Sequence, residues 1–315
     1  MKRIVVTGGL GQIGMELIHR LRNEYGSSAV MATDVKKEGS ERLGEGPFEI
    51  LDVRDGARLA EIVKAHKADT VLHLAGILSA NAEKNPQLGW EVNLNGVYNA
   101  LEVARQENCS FFFPSSIAAF GPSTPQDKTP QDTIQRPNTI YGVAKTAGEL
   151  LCDYYNHKYG LDTRGVRFPG LISYDTPPGG GTTDYAVHIY YDAVKKGSYT
   201  SFIAPGTYMD MMYMPDALDS VIGLMEADPS RLIHRCCFNI TAMSFEPNQL
   251  AAAIEKHVPG FKLDFDVDPA RQAIAESWPN SIDDTAAREE WDWNPKYDME
   301  AMTVDMLEKL RAKLS

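Results

Sequence analysis

The sequence contains few of the residues that bind structural metals or nucleic acids. Only four cysteines occur in 315 residues, and none forms a C-x-x-C pair. The adjacent Cys236 and Cys237 make a poor zinc clamp, and Cys109 and Cys152 stand alone, so we expect reduced, partly buried thiols and no metal site. Lys and Arg total 31 against 43 Asp and Glu, a net charge of −12. This balance argues against nucleic-acid binding, because phosphates require a basic surface.

Long apolar runs are also missing from the sequence. No run approaches the ~20 residues needed to cross a bilayer. The chain enters a strand pattern at Arg3–Val6, which leaves no room for an N-terminal targeting peptide. We therefore expect no membrane contact and a cytoplasmic location. Hydrophobic residues make up 43% of the chain and charged residues 23%, which is typical of a folded globular protein.

Short strand patterns alternate with longer helical patterns through the first half of the chain. The strand patterns are Arg3–Thr7, Ala29–Thr33, Phe48–Leu51, Thr70–Leu74, Ser110–Pro114 and Thr163–Arg167. The helical patterns between them are Gln12–Asn23, Ala57–His66, Trp90–Glu107 and Tyr141–Tyr159. This alternation indicates βαβ units and predicts an α/β fold with a doubly wound parallel sheet.

A glycine-rich loop, Thr7–Gly14, joins the first strand pattern to the first helical pattern. Its glycines permit a sharp turn, the close approach of a pyrophosphate and tight helix packing, and the helix N-terminus attracts phosphate. A glycine turn by itself is weak evidence, but this one has the strand and the helix that a Rossmann dinucleotide site requires. The predicted contacts in the loop are Gly8, Gly11, Gln12, Ile13 and Gly14.

Three further segments fit a dinucleotide. Asp34 follows Gly14 by 20 residues and ends the second strand pattern. A carboxylate there binds the ribose hydroxyls and repels a 2′-phosphate, so NAD is favoured over NADP. Asp52 closes the third strand pattern and is a candidate for holding the adenine amino group. Leu74 and Ala75 end the fourth, where small residues let the backbone lie against the cofactor.

The strand–helix alternation changes after Phe168, where the loop Pro177–Gly181 interrupts it. We therefore predict a smaller C-terminal lobe for the substrate, built on and around the sheet. Residues 1–168 form the predicted dinucleotide-binding domain, and residues 208–240 return to it. Residues 169–207 and 241–315 form the predicted substrate-binding lobe.

Tyr141 and Lys145 lie one helical turn apart on one face of a predicted helix. An ammonium near a phenol lowers the tyrosine pKa from ~10 toward the working pH, so Tyr141 becomes a general base for an alcohol. Lys145 also reaches the nicotinamide ribose. A lone Y-x-x-x-K usually marks a surface helix pair, and a lone serine at a strand end is more often a helix cap. Ser116, 25 residues before Tyr141, completes the set because its hydroxyl can hold the substrate oxygen.

The loop glycines, Ser116 and Tyr141-x-x-x-Lys145 together resemble the extended short-chain dehydrogenase/reductase superfamily. The resemblance covers nearly the whole chain, and Ser115–Gly121 and Asp210–Asp216 are similar to further segments of that group. It implies an NAD-dependent oxidoreductase whose catalytic residues are Ser116, Tyr141 and Lys145.

Three segments resemble the short-chain type of L-threonine 3-dehydrogenase more narrowly. They are Phe168–Gly170 with Pro178–Val187, then Met211–Asp216, and finally Arg271–Asp284. This resemblance implies oxidation of the C3 hydroxyl of L-threonine to 2-amino-3-ketobutyrate without a metal, and it implies that Ser79 contacts the substrate. One departure is Asp210, where that family has proline.

An amino-acid substrate needs donors for its carboxylate and an acceptor for its ammonium group. Thr182 and Thr183 follow the glycine-rich turn and offer hydroxyls and backbone N–H groups to the carboxylate. Asp184 is a candidate partner for the ammonium group, and helix capping is an equal alternative for it.

Two other functions remain open on the sequence. A sugar-nucleotide epimerase or dehydratase is the second candidate, although Arg271–Ala275 stands where epimerases carry an R-x-G-D-like segment. A non-catalytic dinucleotide sensor is the third, and the intact Ser116, Tyr141 and Lys145 argue against it.

The resemblance also implies a homodimer through the helices that follow Asn85 and Tyr141. Apolar side chains are available there, but packing on the sheet explains them equally well. They are Val92, Val97, Leu101, Leu150, Leu151, Tyr154 and Tyr155.

Overall fold

The computed structural model describes residues 1–176 and 179–315, so Pro177 and Pro178 of the predicted loop lie outside it. The described strands are β1 (Ile4–Thr7), β2 (Val30–Asp34), β3 (Phe48–Ile50), β4 (Thr70–His73), β5 (Ser110–Ser116), β6 (Thr163–Phe168), β7 (Gly170–Ile172), β8 (Ser198–Ser201), β9 (Met209–Tyr213), β10 (Phe238–Asn239), β11 (Met243–Phe245) and β12 (Lys262–Phe265). The helices are α1 (Gln12–Tyr25), α2 (Gly56–His66), α3 (Ser79–Lys84), α4 (Pro86–Trp90), α5 (Gly96–Glu107), α6 (Ile140–Tyr159), α7 (Tyr185–Lys196), α8 (Met214–Glu226), α9 (Pro247–Glu255), α10 (Pro269–Glu276), α11 (Thr285–Trp291) and α12 (Met299–Leu314).

A seven-stranded Rossmann-like sheet, in the order β10-β6-β5-β4-β1-β2-β3, forms the centre of the fold. The pairs β1–β2, β1–β4, β2–β3 and β4–β5 are parallel. Every residue of β1 and β4 is buried, as expected for central strands of a parallel sheet that is covered on both faces. The predicted doubly wound parallel sheet is confirmed. The strand order reverses between β1 and β4, and a cofactor binds at such a point in folds of this kind.

The described chain divides into two compact units. The first comprises residues 1–119, 139–167 and 218–238, and the second comprises 120–138, 168–217 and 239–315. The predicted division differs at two places. Residues 120–138 belong to the second unit, where the N–H of Thr129 donates to the Ser281 carbonyl at 2.9 Å. Residues 208–217 belong there too, because β9 pairs with β7 and β11 in a three-stranded sheet.

Helices α2 and α5 pack side by side in the first unit, and α6 packs on β5. Their shared core includes Leu59, Ile62, Leu101 and Phe111, each at most 3% exposed. The predicted helix Trp90–Glu107 is interrupted after α4 by one π-helical turn, Glu91–Asn95. Within the described residues, no helix is long and apolar enough to span a bilayer. In that same part of the chain, no three His, Cys, Asp or Glu side chains are grouped as metal ligands.

Candidate active site

The glycine loop lies against the end of β4 with no room for side chains. Gly8 has a φ of +69°, and a Cβ there would lie 2.7 Å from the Ala75 backbone; at Gly14 it would lie 2.2 Å from the Gly8 carbonyl oxygen. Gly11 caps α1 without a side chain that could occupy the first N–H groups of the helix. The side-chain nitrogen of Gln12 is buried and has no hydrogen-bond partner in the described residues. Together these features fit the pyrophosphate of a dinucleotide.

Asp34 ends β2 beside the same loop. Its Oδ2 accepts a hydrogen bond of 3.0 Å from the N–H of Leu10, which fixes the carboxylate at the loop. Among the described residues, its Oδ1 accepts only a long bond of 3.5 Å, from the N–H of Lys36. The carboxylate is therefore oriented and still has capacity to accept bonds, which fits the hydroxyls of an adenosine ribose.

Asp52, predicted to hold the adenine amino group, is bonded to an arginine in the structure. Both of its carboxylate oxygens accept bonds from the Arg54 guanidinium, at 2.6–3.0 Å. The hydrogen bonds from Arg54 hold the pKa of Asp52 below its usual range. Arg54 also pairs with Glu91, at 3.0 Å. Asp52 is thus already engaged in an ion pair at the end of β3, and its contact with adenine stays a prediction.

The end of β4 is bonded to Thr7 at three successive residues. The N–H of Leu74 donates to the Thr7 carbonyl (3.1 Å), the N–H of Ala75 donates to Thr7 Oγ1 (3.3 Å), and His73 Nδ1 lies 3.1 Å from Thr7 Oγ1. Burial, and then the charge of Lys145, lower the pKa of His73 to about 3, so its ring is neutral. His73 is a candidate that the sequence motifs did not indicate, although a polar residue at the end of a buried strand was the available signal.

Three of the predicted substrate and catalytic residues come together at the end of β5. The Ser116 side chain lies near Tyr141 and lowers the pKa of its hydroxyl. Lys145 Nζ lies 5.4 Å from the centre of the Tyr141 ring and donates to the Pro114 carbonyl. Helix α6 brings Tyr141 and Lys145 to one face, and the Thr139 side chain caps its start by accepting from the N–H of Gly142 at 3.0 Å. The arrangement joins a phenol, a hydroxyl and an ammonium group.

The pKa of Tyr141 differs from the prediction. Burial raises the pKa of Tyr141 to about 12, and the interaction with the Ser116 side chain lowers it by less. Burial also lowers the pKa of Lys145 to about 8. The prediction that Lys145 brings the tyrosine pKa below ~10 was therefore wrong, because burial disfavours the charged phenolate.

The remaining predicted substrate residues lie in other elements. Ser79 begins α3 and is buried. In the second unit, Thr182 and Thr183 lie in a 3₁₀ turn that precedes α7, and Asp184 accepts bonds from the N–H groups of Gly180 (2.8 Å) and Gly181 (2.6 Å). The carboxylate of Asp184 thus closes the glycine turn, as in the capping alternative. Substrate contacts of these four predicted residues stay predictions.

The chain was compared with known protein families and with curated relatives. The model of the NAD dependent epimerase/dehydratase family matches residues 4–233, more than half of the chain. A curated relative from Staphylococcus haemolyticus, described as an uncharacterized epimerase/dehydratase, is 58% identical over 314 residues and is covered over 99% of both chains.

Solved structures give a narrower similarity. The structure of an L-threonine dehydrogenase from Clostridium difficile is similar with a TM-score of 0.98 and 59% identity, covering 99% of this chain and 98% of that one. A monomeric L-threonine 3-dehydrogenase from a metagenome is similar with a TM-score of 0.95 and 44% identity, covering 99% of this chain and 100% of that one.

Proposed function

The chain belongs to the NAD-dependent epimerase/dehydratase family, and we propose that it oxidises the C3 hydroxyl of L-threonine to 2-amino-3-ketobutyrate. The observation that carries the choice of substrate is the 59% identity to an L-threonine dehydrogenase along nearly the whole chain. The cofactor is NAD, which supplies the hydride acceptor when bound. The Gly8–Gly14 loop and Asp34 fit its pyrophosphate and ribose, and we infer that Leu74, Ala75 and Lys145 contribute further contacts.

The chain's own residues are assigned three roles. Ser116 and Tyr141 bind the substrate hydroxyl, because their side chains interact with each other and their hydroxyls can share a third oxygen. Tyr141 in its phenolate form takes the hydroxyl proton as general base. Lys145, anchored by the Pro114 carbonyl, holds a positive charge near the phenolate. No step in this scheme requires a metal ion.

The test mixes the purified protein with NAD and L-threonine and follows NADH by absorbance. We expect NADH formation with L-threonine and none with L-2-aminobutyrate, a control that keeps both charged groups but lacks the C3 hydroxyl. No NADH from L-threonine at any pH between neutral and moderately alkaline would reject the proposal. Interconversion of UDP-sugars without net NADH would instead favour the epimerase alternative that the family name includes.

A further inference from the structure

The end of β5 is joined to α6 at three consecutive residues. Lys145 donates to the Pro114 carbonyl, the Ser115 hydroxyl donates to Glu149, and the Ser116 side chain interacts with Tyr141. The three helix residues are four positions apart, so they form one line along the helix face. The proposed mechanism uses the first and last of these pairs. The middle pair has no role in it, and the helical spacing that identified Lys145 also identifies Glu149.

Glu149 is held rigidly by a buried ion pair. It is 2% exposed, and its partner Arg167 on β6 is 6% exposed. Arg167 Nε lies 3.1 Å from both carboxylate oxygens, and Arg167 Nη2 lies 2.8 Å from one of them. Ser115 donates its hydroxyl proton to the same carboxylate. Charge-assisted bonds to a planar guanidinium restrict the direction as well as the distance, so the carboxylate has little freedom to move.

We propose that Glu149 is a positioning residue for the oxidation. Through Ser115 it fixes the end of the strand that carries Ser116, and its negative charge lies one helical turn from the Lys145 ammonium. This inference rests on the proposed function, because it gives Glu149 a role only through residues assigned to that reaction. A displacement of about 1 Å between such groups can lower turnover by roughly 100-fold.

The charge of Glu149 also acts on Lys145. Burial lowers the pKa of Lys145 to about 8, whereas Cys237 and Glu149 raise it. The other groups that face Lys145 are His73, which is neutral, and the rings of Phe113 and Tyr141. Glu149 therefore keeps more of Lys145 in its ammonium form at alkaline pH, where more of Tyr141 is phenolate.

Three variants separate position from charge. Ser115→Ala removes the bond to Glu149 and leaves every charge in place, so we expect a kcat lower by about 10- to 100-fold with the Lys145 titration unchanged. Glu149→Gln removes the charge but leaves the Arg167 cation buried without it, which destabilises the fold. The double variant Glu149→Gln/Arg167→Gln removes both charges, so we expect it to recover thermal stability while kcat stays low and Lys145 titrates at lower pH.

The decisive readout does not depend on any substrate. Competitive labelling with a trace of acetic anhydride, followed by peptide mass spectrometry, gives the titration midpoint of Lys145 in each protein. A midpoint that falls in both Glu149 variants and stays constant in Ser115→Ala supports the inference. The inference is overturned if Lys145 of the double variant has the same titration midpoint as in the wild type. It is also overturned if Ser115→Ala and the double variant both keep the wild-type kcat. If the wild type forms no NADH from L-threonine, the proposed function fails. The labelling result would still show whether the charge of Glu149 acts on Lys145.

Discussion

Tyr141 must lose a proton before it can accept one, and burial makes that loss difficult. Because its pKa is raised to about 12, the phenolate fraction increases about tenfold with each pH unit through the neutral and alkaline range. Lys145 loses its ammonium form as the pH passes about 8. We therefore expect kcat/KM for L-threonine to rise with pH from neutrality and to level off or fall above the Lys145 titration. Initial rates of NADH formation at constant ionic strength measure this profile, and a flat profile would contradict it.

Removal of the Tyr141 hydroxyl tests the base directly. Tyr141→Phe keeps the partly buried ring and removes only the group that takes the proton, so we expect kcat to fall by about 100- to 10,000-fold. NAD affinity, measured by calorimetry, should stay within about two-fold because the glycine loop is unchanged. Tyr154→Phe on the same helix is the matched control, since Tyr154 is 49% exposed and lies outside the set. Retained turnover in Tyr141→Phe would show that another group is the base.

Asp34 is expected to set the choice between NAD and NADP. Asp34→Ala removes a carboxylate that would repel a 2′-phosphate, so the ratio of kcat/KM for NAD to that for NADP should fall. Asp34→Asn is the control for the loop, because its side-chain oxygen can still accept from the N–H of Leu10. The ratio should fall in both variants. An unchanged ratio in both would remove Asp34 from the ribose site.

The spacing of residues along the sequence predicted which catalytic candidates lie close together, but it did not predict their pKa values. The helical period places Tyr141 and Lys145 on one face, and a serine at the end of a neighbouring strand can reach them. The pKa of Tyr141 depends on how deeply its hydroxyl is buried, which no local sequence pattern contains. Glu149 fits the same period, but its ion pair with Arg167 on the following strand, β6, could be seen only in the structure.

Helix α6 can approach β5 only because residue 148 has no side chain. A Cβ at Gly148 would lie 2.4 Å from the ring of Phe113. At a solvent-exposed helix position, Gly→Ala stabilises a protein by about 1 kcal/mol. We expect the opposite sign for Gly148→Ala, a loss of roughly 1–3 kcal/mol of unfolding free energy from overpacking, together with a lower kcat as α6 shifts.

Denaturant unfolding and steady-state kinetics of Gly148→Ala measure both effects. The double variant Gly148→Ala/Phe113→Leu makes room for the added methyl group. It should therefore lose less stability than the sum of its two single variants. A stabilised Gly148→Ala protein would show that α6 does not depend on this close approach.

The three-stranded sheet of the second unit contains a carboxylate with unusual acidity. Asp210 on β9 accepts bonds from Thr241 Oγ1 (2.7 Å) and from the N–H of Ile282 (2.5 Å). Burial raises the pKa of Asp210 to about 7, the two bonds lower it, and the charge of Asp284 raises it. The folded state therefore holds a proton that the unfolded state has lost, and stability decreases as the pH rises from about 4 to about 7.

Asp210→Asn should remove this dependence on pH. Asparagine keeps one acceptor and adds a donor at the same place, and it carries no charge to bury. The Tm difference between the variant and the wild type should therefore depend on pH. It should favour the variant by several degrees more above the pH at which Asp210 titrates than well below that pH. Calorimetric scans across that range measure the difference, and a constant difference at all pH values would show that Asp210 titrates normally.

Secondary structure was predictable where a pattern runs through a whole element. The strands β1, β4 and β6 are buried along their full length, and the predicted helix Tyr141–Tyr159 differs from α6 by one residue. The two-residue strand β10 is too short for any period to show. The π-helical turn between α4 and α5 also escaped prediction. There the Asn93 side chain donates to the Ile77 carbonyl and accepts from its N–H, which are contacts with a distant segment.

At the scale of the whole molecule, the predicted homodimer now depends on fewer side chains. Val97, Leu101 and Tyr155 pack into the core of the first unit, because they lie on the inward faces of α5 and α6. Leu150 and Tyr154 on α6 are 62% and 49% exposed. Large exposed apolar side chains that share one helix face are typical of an interface between subunits.

We expect the protein to be a dimer at micromolar concentration and Leu150→Glu to be a monomer. A charge at this position would have to be buried in an isologous contact, where the same residue of both copies lies close to the axis. Light scattering after size-exclusion chromatography measures the mass, and Val304→Glu, at another exposed apolar position, is the control that should remain dimeric. One similar L-threonine 3-dehydrogenase is described as monomeric, so the family does not decide the outcome. A monomeric wild type would mean that Leu150 and Tyr154 are solvent-facing side chains of a single-chain enzyme.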